Sequence, residues 1–176
     1  IEGDLAQSAP MLRLLQGDVG SGKTVVALES MLLAVEAGAQ AALLAPTEIL
    51  ARQHHATLCR MAAGTGVTIA LLTGRDKGRA RESILMGLMD GSIPIVVGTH
   101  AIFQEAVAYR NLALVVIDDF TFHSDVLPLL RQRAVRMLKI DASLTVAALK
   151  DKVAQAQVAA ISHGARVLGM HCVAKR

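Results

Sequence analysis

Aromatic side chains are nearly missing from this sequence: Phe103, Phe120, Phe122 and Tyr109 are the complete set in 176 residues, and there is no Trp. Recognition of single strands by stacking bases on a row of rings therefore has little to work with. Cysteine is scarce too. Cys59 and Cys172 alone make no disulfide framework, which points to a reduced, cytoplasmic compartment. No apolar run approaches the ~18 residues of a membrane-spanning helix, so no membrane partner is expected. The opening Ile1-Glu2-Gly3-Asp4 has neither a positive leader nor an initiator Met, and reads as the edge of a piece cut from a longer protein.

What is present is apolar and unevenly charged. Hydrophobic residues make up 53% of the chain, enough for a well-buried core, and the length suits one domain rather than two full-sized ones. Residues 1–119 carry 9 Lys/Arg against 12 Asp/Glu, whereas residues 120–176 carry 9 against 3. The two parts differ in kind: an acidic-to-neutral body and a basic tail. Such a tail fits either a nucleic-acid surface or a solvated helix face.

Apolar periodicity alternates between strand and helix. Met11 to Leu15 reads as a strand, and Val25 to Ala37 as a helix closed by Gly38. Ala41 to Ala45 is a strand ended by Pro46, after which Thr47 caps a helix running to about Ala63. Further strands are expected at Val67 to Leu72, Ile95 to Val97 and Leu112 to Ile117, with a helix from Lys77 to Asp90. Strands apolar on both faces, alternating with helices, predict an α/β fold: a parallel sheet covered by helices on both sides.

Between the first strand and the first helix lies Gly17-Asp18-Val19-Gly20-Ser21-Gly22-Lys23-Thr24, which fits G-x-x-x-x-G-K-[ST]. Glycines let several N–H groups close on a phosphate without a Cβ in the way. Lys23 would set its ammonium against the β- and γ-phosphates of a nucleotide, and the Thr24 hydroxyl would ligate Mg²⁺. The last strand runs into Asp118-Asp119, a carboxylate pair of the form expected of the second Mg²⁺ and water-activating site. Lys23, Asp118 and Asp119 are thus the candidate catalytic residues. His54, His55 and Cys59 invite a metal reading, but adjacent histidines leave a helix on different faces and no fourth ligand is placed.

From about Ile1 to Asp118 the chain resembles the first motor domain of RecG-type ATP-dependent DNA helicases of superfamily 2, a RecA-like P-loop NTPase fold. The resemblance rests on Met11 to Thr24 (motif I), Ala45-Pro46-Thr47-Glu48-Ile49-Leu50-Ala51 with Gln53-His54 (motif Ia), Leu72-Thr73-Gly74-Arg75-Asp76-Lys77-Gly78, and Val96-Val97-Gly98-Thr99-His100-Ala101-Ile102-Phe103-Gln104-Glu105. The transcription-repair coupling translocase is similar too, although Gly98 to Gln104 looks more like the RecG version. The resemblance implies that motif I holds ATP. It also implies that Pro46, Thr47, Thr73, Gly74, Gly98, Thr99 and His100 face DNA and contact its backbone, and that the intact proteins act on branched DNA in repair and recombination. Small hydroxyl residues and a helix N-terminus suit phosphate oxygens without specifying sequence. Arg75, Lys77, Arg79 and Arg81 fit either phosphate contact or an exposed helix start.

Departures from the pattern begin at Asp119. The family continues this strand as Asp-Glu-Gln-His, whereas the chain reads Asp118-Asp119-Phe120-Thr121. An aspartate here stands up to ~1 Å farther back than a glutamate, a misplacement that can cost about 100-fold in rate. Motif III, the second motor domain with its arginine finger, the wedge domain and the adenine-reading segment are not found in this sequence. Residues 1–119 are therefore expected to form a partial ATP-binding helicase domain, and residues 120–176 an α-α-β tail without family likeness. That tail comprises helices at Val126 to Ile140 and Leu144 to His163 and a strand at Val167 to Val173, which is expected to fill the sheet position that the motif III strand takes in the family. A spliced, frameshifted or recombined origin fits the charge asymmetry equally well. Two other functions stay open: a catalytically dead nucleotide- or nucleic-acid-binding module, and an unrelated P-loop phosphotransferase.

Overall fold

The computed structural model describes residues 22–118, 151–153 and 156. The strand expected at Met11 to Leu15, residues 17–21 of the phosphate loop, Asp119, the helix expected at Val126 to Ile140 and the strand expected at Val167 to Val173 lie outside the described residues. So does most of the helix expected at Leu144 to His163.

Helix α1 spans Lys23–Glu36 and buries Ala27, Leu28, Met31 and Ala34, a stripe at helical spacing. It closes in a Schellman turn. Gly38 takes φ +75°, its N–H reaches Val35 O at 2.9 Å, and the Ala39 N–H reaches Ala34 O at 2.9 Å, so the last carbonyls of the helix find donors. Strand β1 follows at once, Gln40–Leu44, buried throughout. Thr47 then starts α2, Glu48–Met61, by accepting the Leu50 N–H on its hydroxyl at 3.3 Å. Strand β2 is Ile69–Leu72, helix α3 is Gly78–Asp90, strand β3 is Ile95–Gly98, a 3₁₀ turn covers His100–Phe103, and strand β4 is Leu112–Ile117. Strand β2 is shorter than the apolar run from Val67 suggested, because Val67 and Thr68 precede the ladder.

All pairings are parallel, in the order β2-β3-β1-β4. Successive side chains of a strand point to opposite faces, and the core divides accordingly. On one face Ala41, Leu43, Ile95, Val97, Leu114 and Val116 pack with α1 and with Ala51 and Leu58 of α2. On the other, Ala42, Leu44, Val96, Val115 and Ile117 pack with Leu88 of α3 and Ile102 of the 3₁₀ turn. Helices thus cover both faces, the three-layer α/β architecture expected of a P-loop domain. Among the described residues β4 pairs with β1 alone, and no helix is long and apolar enough to cross a membrane.

One buried polar side chain fastens the strands' N-terminal edge. Gln40 donates from Nε2 to Leu88 O and Ile93 O, both at 2.9 Å, and accepts the Asn111 N–H on Oε1 at 3.0 Å. Three partners offset the desolvation of its amide.

Candidate functional site

Because the strands are parallel, their C-terminal ends form one row. Leu72, Gly98, Leu44 and Ile117 are in register across the sheet, so the residues just beyond them meet along a single edge. Thr73 follows β2, Thr99 follows β3, Ala45-Pro46-Thr47 follow β1, and Asp118 follows β4. Helix α1 delivers a further set. Its C-terminus enters β1 within three residues, at the opposite edge, and its 14 residues run about 21 Å, longer than the five residues of β1, about 17 Å. Gly22, Lys23 and Thr24 therefore lie towards the same C-terminal edge as Asp118.

The start of α1 suits an anion. Gly22 has φ +83° and open space where a Cβ would stand, and the first turn holds no acidic residue. Among the described residues, no carboxylate of that turn offsets the positive end of the helix dipole. Asp118 is fixed from two directions: its N–H donates to Leu44 O at 2.9 Å, extending the β1–β4 ladder, and its Oδ2 lies 2.8 Å from Nε2 of His54. Among the described residues no three His, Cys, Asp or Glu side chains gather as a metal cage. One hydroxyl and one carboxylate fit Mg²⁺, which keeps several waters and is held by one or two protein groups together with phosphates.

The residues expected to face DNA divide into two groups. Pro46, Thr47, Gly74 and His100 are exposed, while Thr73, Gly98 and Thr99 are buried. Thr73 spends its side chain internally: its hydroxyl donates to Asp76 Oδ2 at 2.8 Å and its N–H to the same oxygen at 2.6 Å, so it shapes the loop that presents Gly74 and Arg75. Gly98 is buried at a close approach of two strands, since a Cβ there would stand 2.0 Å from Leu72 O. The turn that exposes His100 is held from behind by Tyr109, whose hydroxyl donates to Ile102 O at 2.8 Å, and from the side by Arg81, which donates to Gln104 Oε1 at 3.0 Å. Burial pushes the Tyr109 phenol well above its ordinary range.

Glu48 ties two of these loops together, a role absent from the sequence reading. Its carboxylate accepts Nη2 of Arg52 at 2.8 Å and faces Nε of Arg75 at 3.2 Å. The Arg52 contact is legible as an i, i+4 pair; the Arg75 contact joins separate loops and leaves no local signal. Two arginines also offset the negative charge that Glu48 places beside Thr47. Of the histidine-cysteine group, His54 turns to Asp118, whereas His55 Nε2 lies 3.0 Å from Ile69 O and 3.5 Å from Cys59 Sγ.

The known proteins that this chain resembles are helicases. The family model of the DEAD/DEAH box helicases matches residues 6–162, running past Asp118. The ATP-dependent DNA helicase RecG of Treponema pallidum is 53% identical over 116 residues, 66% of this chain and 17% of that protein. RecG of Pasteurella multocida is 50% identical over 119 residues, 68% of this chain and again 17% of that protein. The chain thus spans about one sixth of the length of these relatives. Among solved structures, RecG bound to a three-way DNA junction superposes with TM-score 0.68 at 41% identity, covering 80% of this chain and 19% of that one. Dbp5 of S. cerevisiae, bound to RNA and ADP with BeF3, superposes with TM-score 0.64 over 98% of this chain and 43% of that one; its 15% identity speaks for the fold alone.

Proposed function

This chain belongs to the DEAD/DEAH box helicase family and carries a RecG-type first motor domain, and from that premise we propose that it is an ATP-binding, DNA-facing motor segment of a RecG-like helicase acting in repair and recombination. The observation that carries the reading is the acid-free start of α1, with Gly22, Lys23 and Thr24, on the same sheet edge as Asp118. Lys23 would bind the β- and γ-phosphates, residues 17–24 are the phosphate-binding segment by their sequence, and the Thr24 hydroxyl and Asp118 would hold Mg²⁺. When bound, that ion neutralises charge on the phosphates.

The exposed Pro46, Thr47, Gly74 and His100, with Arg75 beside them, form the face for the DNA backbone. Few aromatics and small hydroxyl side chains suit phosphate contact rather than base reading. Asp119 in place of a glutamate favours binding over turnover, and a second motor domain supplies the arginine finger in the intact family. On its own this chain binds Mg·ATP weakly and does not unwind DNA.

Titration of Mg·ATP with and without a forked DNA oligonucleotide tests the reading. Both ligands should bind, and each should change the affinity for the other by the same factor. Binding of both without coupling would leave only a dead binding module, and failure to bind nucleotide would overturn the motor reading altogether.

A further inference from the structure

His54 has no part in the roles assigned above, yet it touches the carboxylate on which the nucleotide site depends. It lies seven residues into the helix that Thr47 caps, about two turns, and its Nε2 meets Asp118 Oδ2 at 2.8 Å across 64 residues of sequence. Both side chains are about one-fifth exposed, 21% and 24%, so the pair stands at the rim of the edge rather than deep in the core. The main chain of Asp118 is already fixed by its bond to Leu44 O. What the ladder does not fix is the plane of the carboxylate, and a donor on Oδ2 sets it.

We infer that His54 is a positioning residue of the nucleotide site: it holds the Asp118 carboxylate in the orientation a hydrated Mg²⁺ requires and ties that orientation to α2. The inference rests on Asp118 being the Mg²⁺-side carboxylate proposed above. Partners that orient a metal-holding carboxylate commonly matter about 10- to 100-fold in metal affinity, whereas a polar contact this exposed adds little to folding stability. A positioning role and a merely structural one therefore differ in what they move. The imidazole must carry hydrogen on Nε2 to donate to the carboxylate. A Gln amide nitrogen reaches the same place; Ala leaves it empty.

The test uses the full chain and a fluorescent ADP analogue, titrated in Mg²⁺ and again in EDTA. His54→Ala should cut the Mg²⁺-dependent gain in affinity by about tenfold, leaving the affinity in EDTA and the thermal midpoint unchanged. His54→Gln should restore the gain to within about threefold of the wild type. A full gain in His54→Ala, or an equal loss in both variants, overturns the positioning role. If the wild type itself shows no Mg²⁺-dependent gain, the nucleotide-site reading falls and this inference with it. The contact has its own check in the ¹⁵N imidazole spectrum, where Asp118→Asn should displace the His54 Nε2 resonance. A resonance that stays in place overturns the contact even in a chain that binds nucleotide.

Discussion

Replacing Gly98 with Ala puts a methyl group where a carbonyl already stands. The new Cβ would lie 2.0 Å from Leu72 O, 3.1 Å from Leu72 C and 2.4 Å from Ile102 Cγ2, whereas close carbon-oxygen contacts begin near ~3.3 Å. Leu72 is the register partner of Gly98 in the β2–β3 pairing, so its carbonyl withdraws only by opening the end of the ladder. Overpacking of a filled interior costs about 1–3 kcal/mol and sometimes more. The stiffer unfolded chain returns about 0.4–1 kcal/mol. With two strands wedged apart we expect the top of that range, a net loss of about 2–3 kcal/mol, read as a lower urea midpoint at unchanged slope. Gly87→Ala is the matched control. There the Cβ meets Ile93 Cδ1 at 2.6 Å, Ile93 Cγ1 at 2.7 Å and Ser92 Oγ at 3.2 Å, all side-chain atoms that move by rotation without opening a ladder, and Ala gains about 0.8–1 kcal/mol of helix propensity over Gly. Its stability should stay within about 1 kcal/mol of the wild type. If Gly87→Ala proves the more damaging of the two, close strand approach does not explain Gly98.

Tyr109, the single tyrosine, has its phenol pKa raised by burial; its contribution to stability is complete below the unfolded value of about 10 and is lost as pH rises towards the folded value. Its absorbance change at alkaline pH should coincide with unfolding, and a separate titration near pH 10 in a folded chain would contradict its burial. Thr47→Ala removes the cap of α2 and should cost about 1 kcal/mol, with weaker binding of a DNA oligonucleotide; unaltered DNA affinity would remove Thr47 from the proposed face. ATP turnover should lie near background in the wild type and rise only modestly in Asp119→Glu. DNA-stimulated, rapid turnover by the wild type would show that the shorter carboxylate does not matter.

Much of this fold was legible because its signals are local. Leu112–Ile117 has the bounds its apolar run predicts, Thr47 caps its helix, and Gly38 takes the left-handed conformation that ends α1. Sequence placed the start of β1 one residue late, since a polar Gln40 does not look like a buried strand residue until its three partners, 48 to 71 residues away, are known. Long-range pairing also hid the finer features of the site. Nothing near His54 announces Asp118, and nothing near Glu48 announces Arg75. Motif likeness grouped Thr73, Gly98 and Thr99 with exposed neighbours, yet all three are buried, Thr73 spending its side chain on Asp76 and Gly98 standing where two strands approach closely, a distinction that depends on burial and not on residue type.

Calorimetric titration of Mg·ATP into the wild type and Lys23→Ala tests the central claim most directly. The account predicts measurable binding in the wild type and none in the variant, at equal thermal midpoints, because the substitution removes a charge-assisted phosphate contact from the start of α1 without touching the core. Equal affinity in the two proteins would contradict it.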